Sequence, residues 1–162
     1  MKRNIARTML MIISVVMLCM GLASAAHAAD HCSNAKAAGN WGLTLTGTLI
    51  LPTGPVLGAA VARARVDAAG NISGTEARNV GGGFANETIK GSWTVNSDCT
   101  TTATAYIYES GVLVRTSVLT GVLVDNSSKL REVQESLTLP DGTNIPVVIT
   151  LEANKLFREQ GH

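Results

Sequence analysis

The stretch Leu43-Thr44-Leu45-Thr46-Gly47-Thr48-Leu49 alternates leucines with polar or small residues at a period of two. Because successive side chains of a β-strand point to opposite faces of the sheet, the leucines share one face and the threonines share the other. The stretch Thr102-Ala103-Thr104-Ala105-Tyr106-Ile107-Tyr108 has the same alternation. From Trp41 onward we find no convincing amphipathic helix, and the chain is therefore predicted to be all-β.

Eight strand-like runs follow one another along the chain, joined by short turn sequences. The predicted strands are 41–51, 58–67, 71–79, 84–96, 100–109, 112–124, 129–139 and 145–156. Asp141-Gly142 is typical of the joining sequences, since Asp and Gly tolerate the positive φ angles of tight hairpin turns. Pro52 and Pro55 are predicted in the first connection, where a missing N–H is tolerated. Residues 30–40 are predicted to form a short helical or irregular lead-in.

An antiparallel meander of eight strands leaves two unpaired edges unless it closes on itself. Closure into a small barrel removes both edges, so a small antiparallel barrel is the predicted fold, with a two-sheet β-sandwich as the alternative. Glycines within the strands fit the sharp bends of a barrel wall, and they also fit sandwich bulges; they include Gly47, Gly74, Gly91 and Gly121. No linker or low-complexity tract indicates a second domain.

Residues 1–28 have the organisation of a signal peptide for export. A basic start precedes an apolar run over residues 9–22, and Ala26-His27-Ala28 matches the small-x-small cleavage pattern. The apolar run is shorter than the roughly 20 residues of a membrane-spanning helix, so no integral membrane span is expected after processing. We therefore predict a bacterial protein that is secreted or periplasmic, with a single β-barrel domain over residues 29–162.

Processing near Ala28 would remove Cys19 and leave two of the three cysteines, Cys32 and Cys99. Secreted chains with two cysteines usually pair them, because the compartment is oxidising. We therefore predict a disulfide between Cys32 and Cys99. On a chain-entropy estimate, closing a loop of this length stabilises the fold by roughly 4 kcal/mol.

The charge balance argues against two classes of partner. The full chain has 13 Lys and Arg against 12 Asp and Glu, and processing would remove the basic residues Lys2, Arg3 and Arg7. The mature chain is then weakly acidic and has no basic cluster, which argues against nucleic acid and anionic membrane surfaces as partners. The sequence does not indicate an oligomeric state.

Histidine, the usual general base and metal ligand, is missing from the predicted strands. His27 lies in the predicted signal peptide, while His31 and His162 lie near the two ends of the mature chain. A Ser–His–Asp triad or a histidine-rich metal site is therefore not expected. We predict no metal and no cofactor, and we assign no catalytic residue.

Candidate ligand-binding residues are polar side chains on the predicted strands. Arg63 and Arg65 share one face of their strand, opposite small apolar residues. This arginine face is either solvated or turned into a barrel lumen, where it could hold a carboxylate or an enolate. Glu76 and Arg78 on the next strand are the expected cross-strand partners, an arrangement typical of an exposed ladder.

Later strands supply the remaining candidates. Tyr106 and Tyr108 share a face, where they either pack structurally or offer a ligand flat apolar area with a polar tip. Arg115 alternates with leucines, which places it either at a solvated strand end or in the lumen. The strand that contains Glu132 and Gln134 has no clean apolar face and is predicted to be an edge or a rim. The candidate lumen residues are therefore Arg63, Arg65, Tyr106, Tyr108 and Arg115.

Four blocks of the chain resemble a group of small secreted bacterial β-barrel proteins whose function is not established. The blocks are Cys32-Ser33-Asn34-Ala35, Gly39-Asn40-Trp41-Gly42, Val66-Asp67-Ala68-Ala69-Gly70-Asn71-Ile72-Ser73-Gly74 and Gly91-Ser92-Trp93-Thr94-Val95-Asn96-Ser97-Asp98-Cys99-Thr100. Thr101 and Thr102 depart from the group's pattern, in which a glycine soon follows the cysteine. The group is distantly similar to calycin-like barrels of the allene oxide cyclase type. That similarity implies a barrel with a lumen and carries over no catalytic residue.

The sequence leaves three functions open. The first is a non-catalytic exported barrel that binds a small apolar molecule or supports the cell envelope, which the apolar alternating strands favour. The second is a barrel enzyme, a cyclase or isomerase, that works largely by holding its substrate in a reactive geometry. The third is a surface or adhesive module that uses threonine-rich strand faces. A hollow interior favours the first two, and a filled one favours a structural role.

Overall fold

A computed structural model of the chain describes residues 32–156. These residues form one short helix and eight strands: α1 (Asn34–Ala37), β1 (Gly39–Leu51), β2 (Gly54–Val66), β3 (Asn71–Val80), β4 (Gly83–Val95), β5 (Thr100–Glu109), β6 (Val112–Val124), β7 (Lys129–Thr138) and β8 (Val147–Leu156). The predicted signal peptide over residues 1–28 lies outside the described residues, as do His31 and His162. Within residues 32–156, no helix has the length and apolar character needed to cross a membrane.

The eight strands form a closed antiparallel barrel in sequence order. β1 pairs with two neighbours, so that Leu45 lies opposite Ala60 of β2 and opposite Leu151 of β8. The β1–β8 ladder removes the two edges that an open meander would expose. The predicted barrel is therefore confirmed, and the alternative two-sheet sandwich is wrong.

All eight predicted strands are present, and the largest difference lies at the start of β2. This strand begins at Gly54 and contains Pro55, so the placement of Pro55 in the connection is wrong. Pro55 lies opposite Ile50, whose N–H donates to the Pro146 carbonyl on the far side of β1. The Pro55 nitrogen therefore points away from β1 and toward β3. On that side Pro55 has no ladder partner, because the pairing of β2 with β3 begins only at Gly58. No ladder hydrogen bond is lost there.

The apolar side of β1 faces the barrel interior, as its alternation predicts. Leu43, Leu45 and Leu49 line the interior, whereas Thr44 and Thr46 between them are exposed. The same division into inward and outward positions recurs in the other strands, because the side-chain period of a strand is two.

Two strand glycines allow neighbouring strands to approach closely. A Cβ atom at Gly91 would collide with the Thr104 carbonyl oxygen, and a Cβ atom at Gly121 would collide with the Arg131 carbonyl oxygen. Only a residue without a side chain permits such an approach. These positions fit the sharply curved wall of a small barrel.

One end of the barrel is closed by the segment that precedes β1. The predicted disulfide between Cys32 and Cys99 is present and ties this segment to the β4–β5 turn. In α1, which follows, Ala37 has no exposed area. The Asn34 side-chain oxygen accepts a hydrogen bond of 2.7 Å from the Val95 N–H, which fixes the helix to the end of β4.

The interior behind α1 is packed around two tryptophans. The rings of Trp41 and Trp93 are nearly perpendicular, with centroids 5.7 Å apart, an arrangement that aromatic pairs favour. Trp41 Nε1 donates to the Ala37 carbonyl at 3.1 Å. Buried apolar side chains surround the pair: Val66, Val95, Ala103, Leu119, Leu123, Leu130, Leu151 and Ala153. This end of the interior is a hydrophobic core.

The opposite end of the barrel carries the β1–β2, β3–β4, β5–β6 and β7–β8 turns and is open to solvent. Interior-facing side chains near these turns are only partly buried: Leu49, Leu51, Val80, Leu139, Ile145 and Ile149. We call this end the open rim, and it comprises residues 50–57, 80–84, 109–112 and 139–148. The barrel is thus closed at one end by α1 and the tryptophan core and accessible at the other.

Two register shifts change the alternation in β6 and β7. One lies after Ile107, and the other lies where β6 moves from Val118 to Leu119. A bulge places two residues of one strand opposite one residue of its partner and so changes which side chains face inward. As a result, the sequence neighbours Val114 and Arg115 both line the interior.

Candidate functional site

Between the tryptophan pair and the open rim, the interior contains a cavity of about 360 Å³. Its lining is mainly aliphatic: Leu43, Leu45, Leu49, Leu51, Val80, Ile89, Ile107, Leu119, Leu137, Leu139, Ile145, Ile149 and Leu151. Small side chains create the space, because β2 presents Ala60, Ala62 and Ala64 to the lumen and β5 presents Ala103 and Ala105. Larger side chains at these positions would fill the interior to the usual density of a protein core.

One wall of the lumen carries four charged side chains, which we call the charged cluster: Glu76 and Arg78 of β3, Glu87 of β4 and Arg115 of β6. Glu76 and Glu87 lie directly opposite each other in the β3–β4 ladder. The Arg115 guanidinium reaches both carboxylates past the intervening β5. Its Nη2 lies 2.5 Å from Glu76 Oε1, and its Nη1 lies 2.8 Å from each oxygen of Glu87. One guanidinium therefore bridges two carboxylates.

Arg78 is the more accessible cation of the charged cluster. Its Nε donates to Glu87 Oε1 at 2.7 Å, and its Nη2 lies 3.9 Å from Glu109 Oε2 near the open rim. The Glu87 side chain has no exposed area, whereas the Arg78 side chain is 25 % exposed. Glu87 is therefore held within the wall by two arginines, and Arg78 is accessible from the mouth.

Burial and the shared guanidinium move the two carboxyl pKa values apart. Burial raises the pKa of Glu76 above its ordinary value; the Arg115 charge opposes this rise and the Glu87 charge adds to it. Burial also acts to raise the pKa of Glu87, but hydrogen bonds from Arg78 and Arg115 outweigh it and hold that pKa below its ordinary value. Such a pair can hold a proton on one carboxyl while the other stays ionised.

Glu132 of β7 lies deeper in the lumen, apart from the charged cluster. It is buried, and burial raises its pKa to about 7. The Thr101 hydroxyl donates to Glu132 Oε1 at 2.9 Å. This hydrogen bond and the nearby Trp93 indole act to lower the pKa of Glu132 and so offset some of the effect of burial. The indole N–H itself does not reach hydrogen-bonding geometry with any partner within residues 32–156. A carboxyl that titrates near neutral pH thus lies next to the tryptophan pair.

Arg63 and Arg65 do not line the lumen. Both are exposed on the outer surface of β2, where they alternate with Ala62 and Ala64, which line the cavity. Of the two placements that the sequence leaves open, the structure has the solvated one. Neither guanidinium takes part in the charged cluster.

Tyr106 and Tyr108 also face outward. Tyr106 is exposed and alternates with Ala105 and Ile107, which line the cavity. On the same outer surface, Lys90 Nζ lies 5.6 Å from the centroid of the Tyr108 ring, within the range of a cation–π contact. The two tyrosines therefore belong to the outer wall.

Arg115 faces the lumen, where it contacts Glu76 and Glu87. The sequence does not predict these contacts. The prediction that Glu76 and Arg78 form an exposed ladder with Arg63 and Arg65 is wrong, because Glu76 and Arg78 point into the barrel. The inward side of β3 is the one that carries the charges, whereas the inward side of β2 carries the alanines. Ladder neighbours on opposite faces of the wall cannot pair.

The prediction that β7 is an edge or a rim is also wrong. β7 pairs with both β6 and β8, and its Glu132 and Gln134 are buried on the lumen side. Gln134 Nε2 donates to the Ser117 hydroxyl and to the Ser136 carbonyl, each at 3.0 Å. Closure of the barrel gives every strand two neighbours, so a mixed polar pattern here marks a polar lumen wall and not an edge.

Glu87, which the sequence analysis did not single out, carries a recognisable signal. It lies between Ala85 and Ile89 at alternate positions of β4, on the side that also carries Trp93. A carboxylate on the apolar side of a strand is expected to be buried, and a buried carboxylate needs a partner of opposite charge. The pattern could therefore have identified Glu87 as a lumen residue, but not Arg115, 28 positions away, as its partner.

The lumen offers little to a metal ion. Among the described residues, no group of three or more His, Cys, Asp and Glu side chains is arranged to hold one. In the charged cluster, the carboxylate oxygens accept hydrogen bonds from Arg78 and Arg115, which occupy the lone pairs that a cation would use.

No protein-family model matches the chain, and no curated protein matches it in sequence. The resemblance to small secreted bacterial barrels, and through them to calycin-like barrels, therefore stays a prediction.

Proposed function

We propose that the protein is an exported, non-catalytic barrel that binds one small, largely apolar molecule in its lumen. The observation that carries this proposal is the cavity of about 360 Å³ with its mainly aliphatic lining. Cavities of this size and character are typical of small-molecule sites. Burial of apolar ligand surface would drive binding, at about 25 cal/mol per Å².

The unfilled interior favours a ligand over a purely structural role. Protein interiors are close-packed, and cavities destabilise folded proteins. A barrel that only supported the envelope would gain stability from larger residues at Ala60, Ala62 and Ala64 of β2, which all line the cavity. A bound apolar molecule would restore the missing contacts.

The charged cluster indicates that the ligand has one oxygen-bearing polar group. Arg78 makes one short hydrogen bond, through Nε to Glu87, and its Nη2 is 3.9 Å from Glu109. A guanidinium has five N–H donors in a planar fork, so Arg78 has donors available for a carboxylate or a carbonyl oxygen at the mouth. An aliphatic chain with a terminal oxygen group, such as a fatty acid, has this chemistry.

Export is part of the proposal. The basic start, apolar run and cleavage pattern of residues 1–28 support it, and a disulfide suits an oxidising compartment. Cell fractionation with N-terminal sequencing tests it. We expect a chain that begins near Ala29 in the periplasm or the medium, and an uncleaved chain in the cytoplasm would contradict export.

A fluorescent apolar probe, N-phenyl-1-naphthylamine, tests binding in the lumen. We expect saturable binding that a medium-chain fatty acid displaces. Ala62→Phe places a ring in the cavity and should weaken binding at least about tenfold. Val61→Phe is the matched control, because Val61 is the adjacent residue and is 58 % exposed on the outer wall. Its binding should equal that of the wild type.

Two results would contradict the lumen site. One is an equal loss of probe binding in Ala62→Phe and Val61→Phe, which would indicate a general disturbance of the fold. The other is unchanged binding in Ala62→Phe, which would place the probe outside the barrel.

A barrel enzyme, a cyclase or isomerase, is the second candidate, and the separated pKa values of Glu76 and Glu87 favour it. Burial raises the pKa of Glu76, whereas hydrogen bonds from two arginines lower that of Glu87. Glu76, which lines the cavity, could in its protonated form give a proton to one carbon of a bound polyene, and the carboxylate so formed could then take a proton from another carbon. The lumen would hold the substrate in a reactive geometry.

Deuterium incorporation tests this second candidate. Polyunsaturated fatty acids are incubated with the protein in D₂O and analysed by mass spectrometry. Isomerisation by proton transfer would introduce deuterium at carbon with the wild type and not with Glu76→Gln, which keeps an oxygen next to Arg115. Absence of incorporation by the wild type would leave the non-catalytic binder as the supported function.

A further inference from the structure

The most exposed apolar side chains on the barrel gather at the open rim. Leu57, Phe84, Val112 and Val148 are between 65 % and 77 % exposed, more than any other large hydrophobic side chain of residues 32–156. Single exposed apolar residues are common on proteins, but their concentration around one end of a molecule marks an interaction site. Ile50, also exposed, lies beside Pro55 at the same end.

These four side chains surround the mouth of the lumen. Leu57 belongs to β2, Phe84 to β4, Val112 to β6 and Val148 to β8, so every second strand of the closed barrel contributes one. Phe84 and Val112 lie at the starts of their strands, next to the turns, and Leu57 and Val148 both lie next to Thr48 of β1. We call these four residues the apolar ring.

The two ends of the barrel also differ in charge. The open rim contains no Lys or Arg, and its charged residues are Glu109 and Asp141. Charged residues line the turns of the closed end: Asp67, Asp98, Asp125 and Lys129, the last two forming an ion pair of 2.6 Å. The mouth is therefore surrounded by a mainly apolar surface with two acidic residues and no basic one, and the far end is hydrophilic.

We propose that the apolar ring docks the barrel, mouth first, on the surface of a neutral lipid bilayer. A protein or a second copy of the chain that packed against the side of the barrel would cover only part of the apolar ring, whereas a deformable medium meets side chains around the whole circumference together. The boundary between headgroups and acyl chains accepts such side chains. The absence of basic residues from the rim turns favours a zwitterionic surface over an anionic one.

This orientation would bring the lumen against the lipid acyl chains. An apolar molecule could then pass between the bilayer and the cavity without exposing its surface to water, which is the costly step for such a molecule. Docking through the apolar ring requires no occupant in the cavity. Its test is therefore separate from the test of ligand binding.

Flotation with phosphatidylcholine vesicles tests the docking surface, with protein purified from the exported fraction of expressing cells. We expect the wild type to float with the vesicles. The double variant Leu57→Asp/Phe84→Asp should bind the vesicles at least about tenfold more weakly than the wild type, because both carboxylates would have to enter the boundary between headgroups and acyl chains. The matched control is Val61→Asp/Val133→Asp, whose sites are 58 % and 54 % exposed in the middle of the wall. It should float like the wild type.

Several outcomes would overturn docking on a neutral bilayer. They are failure of the wild type to float, an equal loss in both double variants, and flotation that requires an anionic lipid such as phosphatidylglycerol. In a further outcome, the wild type does not bind vesicles, and sedimentation shows that it is a dimer which only the Leu57→Asp/Phe84→Asp substitutions dissociate. The apolar ring would then be an interface between copies of the chain. Binding of N-phenyl-1-naphthylamine by the ring variant should equal that of the wild type, which separates a docking defect from a damaged lumen.

Discussion

Arg115 Nη2 lies 2.5 Å from Glu76 Oε1, although the two residues belong to β6 and β3 and two other strands separate them around the wall. The same guanidinium holds Glu87 of β4. Pairing buried charges adds little stability over an apolar replacement of the whole group, but removing one partner leaves an uncompensated charge. Arg115 is therefore the residue on which the polar wall of the lumen most depends.

Arg115→Met should lower the free energy of unfolding by about 3–5 kcal/mol at pH 8, because Glu76 and Glu87 lose their shared cation. The loss should shrink at pH 4, where the unpaired carboxyls take up protons. Urea unfolding at the two pH values measures it. Arg63→Met, on the outer surface of β2, is the control and should change stability by less than about 0.5 kcal/mol. Equal losses at both pH values would mean that Arg115 acts through packing and not through charge.

Glu132→Gln should stabilise the protein at pH 8 and have little effect at pH 4. Burial raises the folded-state pKa of Glu132 to about 7, above the ordinary value of an unfolded chain. The folded state therefore binds this proton more tightly, and stability falls as pH rises from the unfolded pKa through the folded one. For a shift of this size the loss at pH 8 is about 3 kcal/mol. Glutamine has no proton to lose, and its side-chain oxygen can still accept the Thr101 hydrogen bond.

Urea unfolding between pH 4 and pH 8 measures this difference. The matched control is Glu135→Gln, an exposed position on the outer side of the same strand. A difference between wild type and Glu132→Gln that does not change with pH would rule out titration of this carboxyl in the folded state.

Replacing both Cys32 and Cys99 by Ser should lower stability by roughly 4 kcal/mol, because the unfolded chain regains the entropy of the open loop. The lumen cavity lies beyond the tryptophan pair, so probe binding in the absence of denaturant should be retained. Denaturant unfolding and probe titration provide the two measurements. Alkylation of two free thiols in freshly purified wild-type protein would contradict the pairing.

Gly121→Ala should destabilise the barrel by about 1–3 kcal/mol, because the added Cβ atom collides with the Arg131 carbonyl oxygen of β7. Thr120→Ala, at the exposed neighbouring position, is the control and should stay within about 0.5 kcal/mol of the wild type. Thermal unfolding of the two variants measures the difference. A Gly121→Ala protein as stable as the wild type would mean that β6 and β7 can separate locally at no cost.

Local patterns predict all eight strands, but they predict which side of a strand faces inward only where one side is clearly apolar. In β1 the period-two pattern places Leu43 and Leu45 inside, because neighbouring residues of a strand must point to opposite faces. In β7 both sides contain polar residues, so the alternation alone does not say which of Gln134 and Glu135 is buried. The bulge in β7 opposite Val118 and Leu119 also changes which residues of this strand face inward beyond that point.

By itself the sequence determined an all-β chain, its eight strands and their joining turns, because each depends on short-range periodicity or turn chemistry, and it predicted the Cys32–Cys99 disulfide as the pairing left when Cys19 is assigned to the signal peptide. Only the tertiary structure decided that Arg115 joins Glu76 and Glu87, that the alanines of β2 and β5 surround empty space, and that the exposed apolar side chains encircle its mouth. The physical reason is closure. Contacts across a lumen depend on which side of every strand curves inward and on how eight strands align around the barrel, and no local pattern of residues encodes that alignment.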